Sequence, residues 1–142
     1  MISRYLAKIS GPLLDRIDMH ITVPAVSFEE MSDKAPGESS EAIRERVIRA
    51  REFAARRFAG RTPIPNGNLS PAETREMCTP DAGGLNVMKM AMEKMGLSAR
   101  GYDRLLRVAR TIADLAESET VTAAHVAEAI QMRSLDRKYF GG

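Results

Sequence analysis

Hydrophobic and polar positions change period twice along the chain. Tyr5, Leu6, Ile9, Leu13 and Leu14 are spaced for a short helix, which Gly11 and Pro12 should break or restart. From Ile17 the period drops to two: Ile17, Met19, Ile21 and Val23 alternate with Asp18, His20 and Thr22 until Pro24 stops the run. The pattern predicts a half-buried strand with its apolar residues inward and His20 on the polar face. No other segment reads as a strand, and one strand alone cannot satisfy its N–H and C=O groups, so the remainder of its sheet is expected outside this sequence.

After Ser32 to Ser40, a stretch of turn formers that reads as a linker, the period becomes helical. Ile43, Val47, Ala50, Ala54 and Phe58 form the apolar stripe of a helix of about five turns, with Ser39 or Ser40 as N-cap and Glu41 in the first turn. Residues 60–69 form a loop with two prolines and Asn66-Gly67. Ser70-Pro71-Ala72-Glu73 then gives a capping box with proline in the first helical position. Thr79-Pro80-Asp81 ends that helix and caps the next, which Gly96 terminates. Ser98 to Ala116 is strongly amphipathic: Leu105, Leu106, Ala109, Ile112, Ala113 and Ala116 share one stripe, and Arg100, Arg104 and Arg107 another. Thr122 caps a last helix. The fold class is therefore mainly α, a bundle of four to five helices over residues 41–142, preceded by a linker (32–40) and a remnant of an α/β core (1–31).

Composition narrows the functions. The 142 residues carry 21 Lys and Arg against 19 Asp and Glu, a net +2, which gives no global pull toward nucleic acid or anionic lipid. No window approaches the roughly 20 apolar residues of a membrane span, and charges interrupt the N-terminus where a signal peptide needs an apolar run, so a soluble, cytoplasmic protein without a membrane partner is expected. Cys78 is the single cysteine, and His20 and His125 are the only histidines, so neither a disulfide nor a structural metal is expected. No Ser-His-Asp or Cys-His arrangement can be assembled.

Several segments together resemble Mg-chelatase-like AAA+ ATPases of the ComM (YifB) type. Ile9 to Ile21 (ISGPLLDRIDMHI) is similar to the segment that precedes the last strand of their ATPase core. Glu38 to Phe58, Leu69 to Glu73 (LSPAE), Gly96 to Leu115 (GLSARGYDRLLRVARTIADL) and Ser134 to Tyr139 (SLDRKY) are similar to their C-terminal helical lid. The resemblance implies that Arg16, the arginine of the LLDR run, is an arginine finger completing the ATP site of a neighbouring subunit in a ring. A fixed guanidinium there stabilises charge on the transferring phosphoryl group and is worth about 10³ to 10⁵ in rate. It also implies that Arg100, in the SAR run, is the sensor 2 arginine that reads the γ-phosphate, with Arg104 a weaker candidate. ATP and Mg²⁺ are then cofactors of the parent protein, and the partners are its upstream core, a homo-oligomeric (hexameric) ring and DNA. ComM-like proteins are linked with natural transformation and act as DNA helicases in branch migration, which points to DNA processing; metal-chelatase subunits are more distant members. The sequence holds neither a G-x-x-x-x-G-K-[ST] loop nor an apolar strand ending in paired acids. The chain is thus expected to be a C-terminal piece that neither binds nucleotide stably nor hydrolyses it alone.

Spacing alone supports plainer readings. Arg16 beside Asp15 and Asp18 reads as a surface ion pair. Arg100, Arg104 and Arg107 read as a solvated face, as do Arg44, Arg46, Arg49, Arg51, Arg56 and Arg57 interleaved with Glu41, Glu45 and Glu52. Met88, Met90, Met92 and Met95 read as core filler, and His125 as a structural residue without an identifiable partner. A free-standing helical module that binds nucleic acid or protein through its arginine faces is the competing class.

Overall fold

The structure, a computed structural model, describes residues 13, 16–32 and 36–133. Their order is α1 (Phe28–Ser32), α2 (Ser40–Ala55) running into a 3₁₀ turn (Arg56–Phe58), a second 3₁₀ turn (Asn66–Asn68), α3 (Pro71–Cys78), α4 (Ala82–Met95), α5 (Ala99–Leu115) and α6 (Ala123–Gln131). The fold is mainly helical. The proposed helix over 5–14 lies almost wholly outside the described residues, as does Ser134 to Tyr139.

The helix boundaries follow local chemistry. Ser39, Asp81 and Ser98 each accept a bond from a backbone N–H of the first turn, at 3.2, 2.7 and 3.0 Å, satisfying donors with no partner inside the helix. At α3 the box is reciprocal: Glu73 Oε2 accepts from the Ser70 N–H at 2.9 Å and Ser70 Oγ from the Glu73 N–H at 3.3 Å, with Pro71 in the first helical position. Those bonds from Ser70 hold the Glu73 carboxyl below its usual range. Gly96, at φ 60°, ends α4 in the left-handed conformation that glycine adopts without strain. His125 has a partner after all. Its Nδ1 accepts from the Thr122 N–H at 3.1 Å, taking the place of a capping-box carboxylate.

The long helix α5 is the axis of the bundle; α6, α2, α3 and the Asn66–Asn68 turn all pack on it, and α4 packs on α6. Leu105, Leu106, Ala109 and Ala113 bury one face of α5 against Phe58, Leu69, Cys78, Met88, Val121, Val126 and Ala129. Close approach of α4 to the start of α6 depends on Gly84, where a Cβ would lie 2.5 Å from Pro80 Cβ and 3.4 Å from the Thr122 carbonyl carbon. The methionine expectation holds for Met88 and Met95, which are buried, but Met90 and Met92 face solvent. The stripe of α2 is likewise covered only at its C-terminal end. Phe53 and Phe58 are buried, whereas Ile43 and Val47 remain 41% and 38% exposed.

The expected strand Ile17–Val23 does not form, and the described residues contain no sheet. Its register survives as one isolated parallel bridge, His20 with Arg133, in which the His20 N–H donates to the Met132 carbonyl at 2.5 Å. Without a neighbouring strand the ladder cannot propagate past this single bond. The facing is also the reverse of that expected: His20 is buried against the bundle, and Ile21 and Val23 are 73% and 82% exposed. Burying the one polar residue that reaches Arg133 turns every alternate apolar residue outward.

Candidate functional site

Arg100 and Arg104 lie one turn apart near the start of α5, whose capped first turn leaves Arg100 exposed. Arg104 is more covered. It forms an ion pair with Asp18, on the segment that carries Arg16, so the Asp18 carboxylate serves α5. Arg133, fully buried at the end of α6, donates from Nη1 to the Ile17 carbonyl at 3.0 Å. With the His20 bond to Met132, three attachments, at Ile17, Asp18 and His20, dock this segment on α5 and on the residues just after α6. Arg16, exposed and with its N–H bonded to the Leu13 carbonyl at 3.0 Å, is the next residue outward. The structure thus holds the residues that follow Arg16 against Arg104, one turn from Arg100, although they come from opposite sides of the linker.

Arg107 and Arg57 depart from the solvated faces that their spacing suggested, whereas Arg44, Arg46, Arg49, Arg51 and Arg56 are exposed as expected. Arg107 donates from Nε to Thr74 Oγ1 and from Nη1 to the Gly67 carbonyl, both at 3.1 Å, tying α5 to α3 and the preceding loop. Arg57 reaches the opposite end of α5, where its Nη1 and Nη2 bracket the buried Asp114 carboxylate at 2.5 and 2.9 Å. Asp114 also accepts from Arg110 Nε at 3.0 Å and from Asn66 Nδ2 at 2.8 Å. Arg110, itself buried, donates onward to the Ser118 and Glu119 carbonyls, the latter at 2.7 Å, and so fastens the turn between α5 and α6. Burial lowers the Arg110 pKa, an effect that the charge of Asp114 opposes. Sequence reasoning missed this network because Arg110 and Asp114 lie on the apolar stripe of α5 itself, four residues apart. That i, i+4 spacing inside a buried stripe was the available signal. Arg46 pairs with Glu38, and Arg56 stacks over Phe53 at 5.4 Å.

Cys78 is fully buried, and desolvation pushes its thiol up to about 11, which makes it a poor nucleophile. Among the described residues no three His, Cys, Asp or Glu side chains could hold a metal ion, and no helix is long and apolar enough to cross a membrane.

The sequence model of the family described as magnesium chelatase, subunit ChlI C-terminal, matches residues 37–133. The chain belongs to this family. Residues 1–31 match a second model, magnesium chelatase, subunit ChlI. Similar proteins include the uncharacterised protein YifB of Escherichia coli, 38% identical over 94% of this chain, and the competence protein ComM of Haemophilus influenzae, 38% identical over 96%. An uncharacterised protein of Mycobacterium tuberculosis is 38% identical over 92% of the chain. The chain spans about a quarter (26%) of the length of each of these relatives. The family is of the AAA+ ATPase type, and the mainly helical fold is the one expected for its C-terminal domain.

Proposed function

We infer that this chain is the nucleotide-sensing lid and arginine-finger portion of an AAA+ ATPase motor that works in DNA processing. The observation that carries the reading is the meeting of the segment after Arg16 with the start of α5, through Asp18–Arg104, and with the residue Arg133 that follows α6, through the Ile17 carbonyl. On this reading residues 1–31 end the ATPase core, 32–40 link, and 41–142 form the lid, a division that the separate family matches support. Arg100 binds the γ-phosphate of the nucleotide held by its own subunit, and Arg16 supplies the finger to the adjacent subunit's site in a homo-oligomeric ring.

The residues present suit the phosphate end of a nucleotide. An exposed guanidinium on the first turn of a helix gains nothing from the helix dipole, and both favour an anion. They do not suit Mg²⁺, for which the described residues offer no cluster of oxygen ligands; the metal and the phosphate-binding loop are assigned to the upstream core. ATP, bound there, supplies the phosphoryl group. This chain's part is to orient Arg16 and to register phosphate loss through Arg100. DNA as the substrate is supported by the likeness to a competence protein, while the description of the family as a magnesium chelatase subunit marks metal insertion as the alternative.

The test uses the full-length parent. Arg16→Ala should abolish hydrolysis with ATP binding and ring assembly retained, and Arg100→Ala should weaken the response of lid position to nucleotide. Hydrolysis at the wild-type rate by intact Arg16→Ala rings would remove the finger assignment. ATPase activity indifferent to branched or single-stranded DNA would remove the DNA-processing reading and leave the sensing roles standing.

A further inference from the structure

Two arginines of the bundle reach the residues that follow Arg16, and both lie beside the turn that carries Arg100. Arg104, one turn after Arg100 on α5, pairs its Nη1 with the Asp18 carboxylate. Arg133, fully buried, has its backbone fixed just after α6, where its N–H donates to the Ile130 carbonyl at 3.0 Å. From there its Nη1 donates to the Ile17 carbonyl at 3.0 Å. Its Nη2 faces Gly101, the residue after Arg100, 3.8 Å from where a Cβ would stand. One guanidinium is thus set between the neighbour of Arg16 and the neighbour of Arg100.

The two contacts restrain different parts of the segment. The Ile17 carbonyl is backbone, so Arg133 fixes the main chain one residue from Arg16 whatever side chain stands at position 17. Pulling that carbonyl away would take an acceptor from a guanidinium shut off from water, which is costly. The Asp18 pair is charge-assisted and ties a side chain two residues from Arg16 to α5 itself. It also neutralises Arg104, so that of two guanidinium groups one turn apart Arg100 is the one left for an anion.

We propose that Arg104 and Arg133 are positioning residues for Arg16. Through the Asp18 carboxylate and the Ile17 carbonyl they clamp the finger segment to the turn that carries Arg100, and Arg104 serves the nucleotide through this clamp rather than by touching phosphate. The inference rests on the reading of Arg16 as an arginine finger given above. A finger acts on charge that develops in the transition state, so its placement governs kcat more than ATP binding. A misplacement of about 1 Å there costs up to about a hundredfold in rate.

Steady-state ATP hydrolysis by the full-length parent tests the clamp, with Arg16→Ala measured beside each variant. Arg104→Asp and Asp18→Arg, each of which sets like charges against one another, should lower kcat about tenfold, with the KM for ATP within about twofold and rings still assembled. Combined in one chain, the two changes restore an opposite pair with its ends exchanged, and most of the lost kcat should return. A guanidinium that touched phosphate could not be replaced in this way. Arg133→Met should lower kcat in the same manner, and Arg133→Lys, which keeps a single charged group, by less; if Arg133→Met fails to assemble, the Asp18–Arg104 exchange decides. Arg104→Asp at the wild-type rate, an exchanged pair no faster than Arg104→Asp, or a raised KM with kcat kept overturns the clamp, and a slow Arg16→Ala then leaves the finger standing. Arg16→Ala at the wild-type rate removes the finger and the clamp with it.

Discussion

Asp18 and Arg104, 86 positions apart in the sequence, form an ion pair that docks the residues following Arg16 on the first half of α5. Both side chains keep some exposure, so the pair contributes at most about 1 kcal/mol. Asp18→Asn should therefore leave the melting temperature of the bundle nearly unchanged while loosening the docked segment. Hydrogen exchange at the His20 amide, bonded to the Met132 carbonyl, reads this directly and should accelerate several-fold. Unchanged protection would mean that Arg133 alone holds the segment.

The Arg57–Asp114–Arg110 network has larger consequences. Removing the shared carboxylate in Asp114→Ala strands two guanidinium groups, one fully buried, and should cost about 3–5 kcal/mol of stability. Asp114→Asn keeps acceptor capacity on one atom and should cost less. Urea denaturation of the two variants gives the order; equal losses would show that shape rather than charge matters here.

Adjacent glycines should respond with opposite sign. Gly84→Ala drives a methyl into Pro80 and the Thr122 backbone and should destabilise by about 1–3 kcal/mol. At Gly83 a Cβ meets only Asp81 Oδ1 at 3.4 Å and Ala123 Cβ at 3.7 Å, ordinary contacts, so Gly83→Ala should be neutral or stabilise by up to about 1 kcal/mol through helix propensity. Thermal unfolding of both variants checks the pair.

Cys78 gives the chain a signed dependence on alkaline pH. The folded thiol titrates at about 11, above its ordinary value of 9.0, so between these values the folded state binds the proton more tightly than the unfolded one. The contribution is fully present below about pH 9 and is lost as pH rises toward 11, on the order of 2–3 kcal/mol. Unfolding free energy measured from pH 8 to 11 should fall more steeply in the wild type than in Cys78→Ala. Parallel profiles would mean that the thiol is better solvated than its burial indicates.

The helices were legible because caps and stripes are local. Ser70, Asp81, Gly96 and Ser98 act within four residues of where they stand, and the structure puts each to the expected use. Interactions across the chain were not legible. Nothing near Arg57 announces Asp114, and nothing near Asp18 announces Arg104, since both pairs depend on how helices cross. The strand pattern of Ile17 to Val23 failed for a related reason: alternation states which residues share a face, but the partner that covers that face lies elsewhere. Arg100 was singled out by motif position, while the buried Arg110 was hidden by the habit of placing charges outside.

The docking of residues 17–20 also fixes what moves with what. Ile17, Asp18 and His20 are bonded to Arg133, Arg104 and Met132, residues of α5 and the end of α6, so the backbone at Arg16 rides on the bundle as its spur. Turning α5 through a given angle carries the Arg16 backbone through the same angle, and its displacement grows with its distance from the pivot. The backbones that carry Arg16 and Arg100, far apart in the sequence, are thereby mounted on one lever for as long as those three bonds hold.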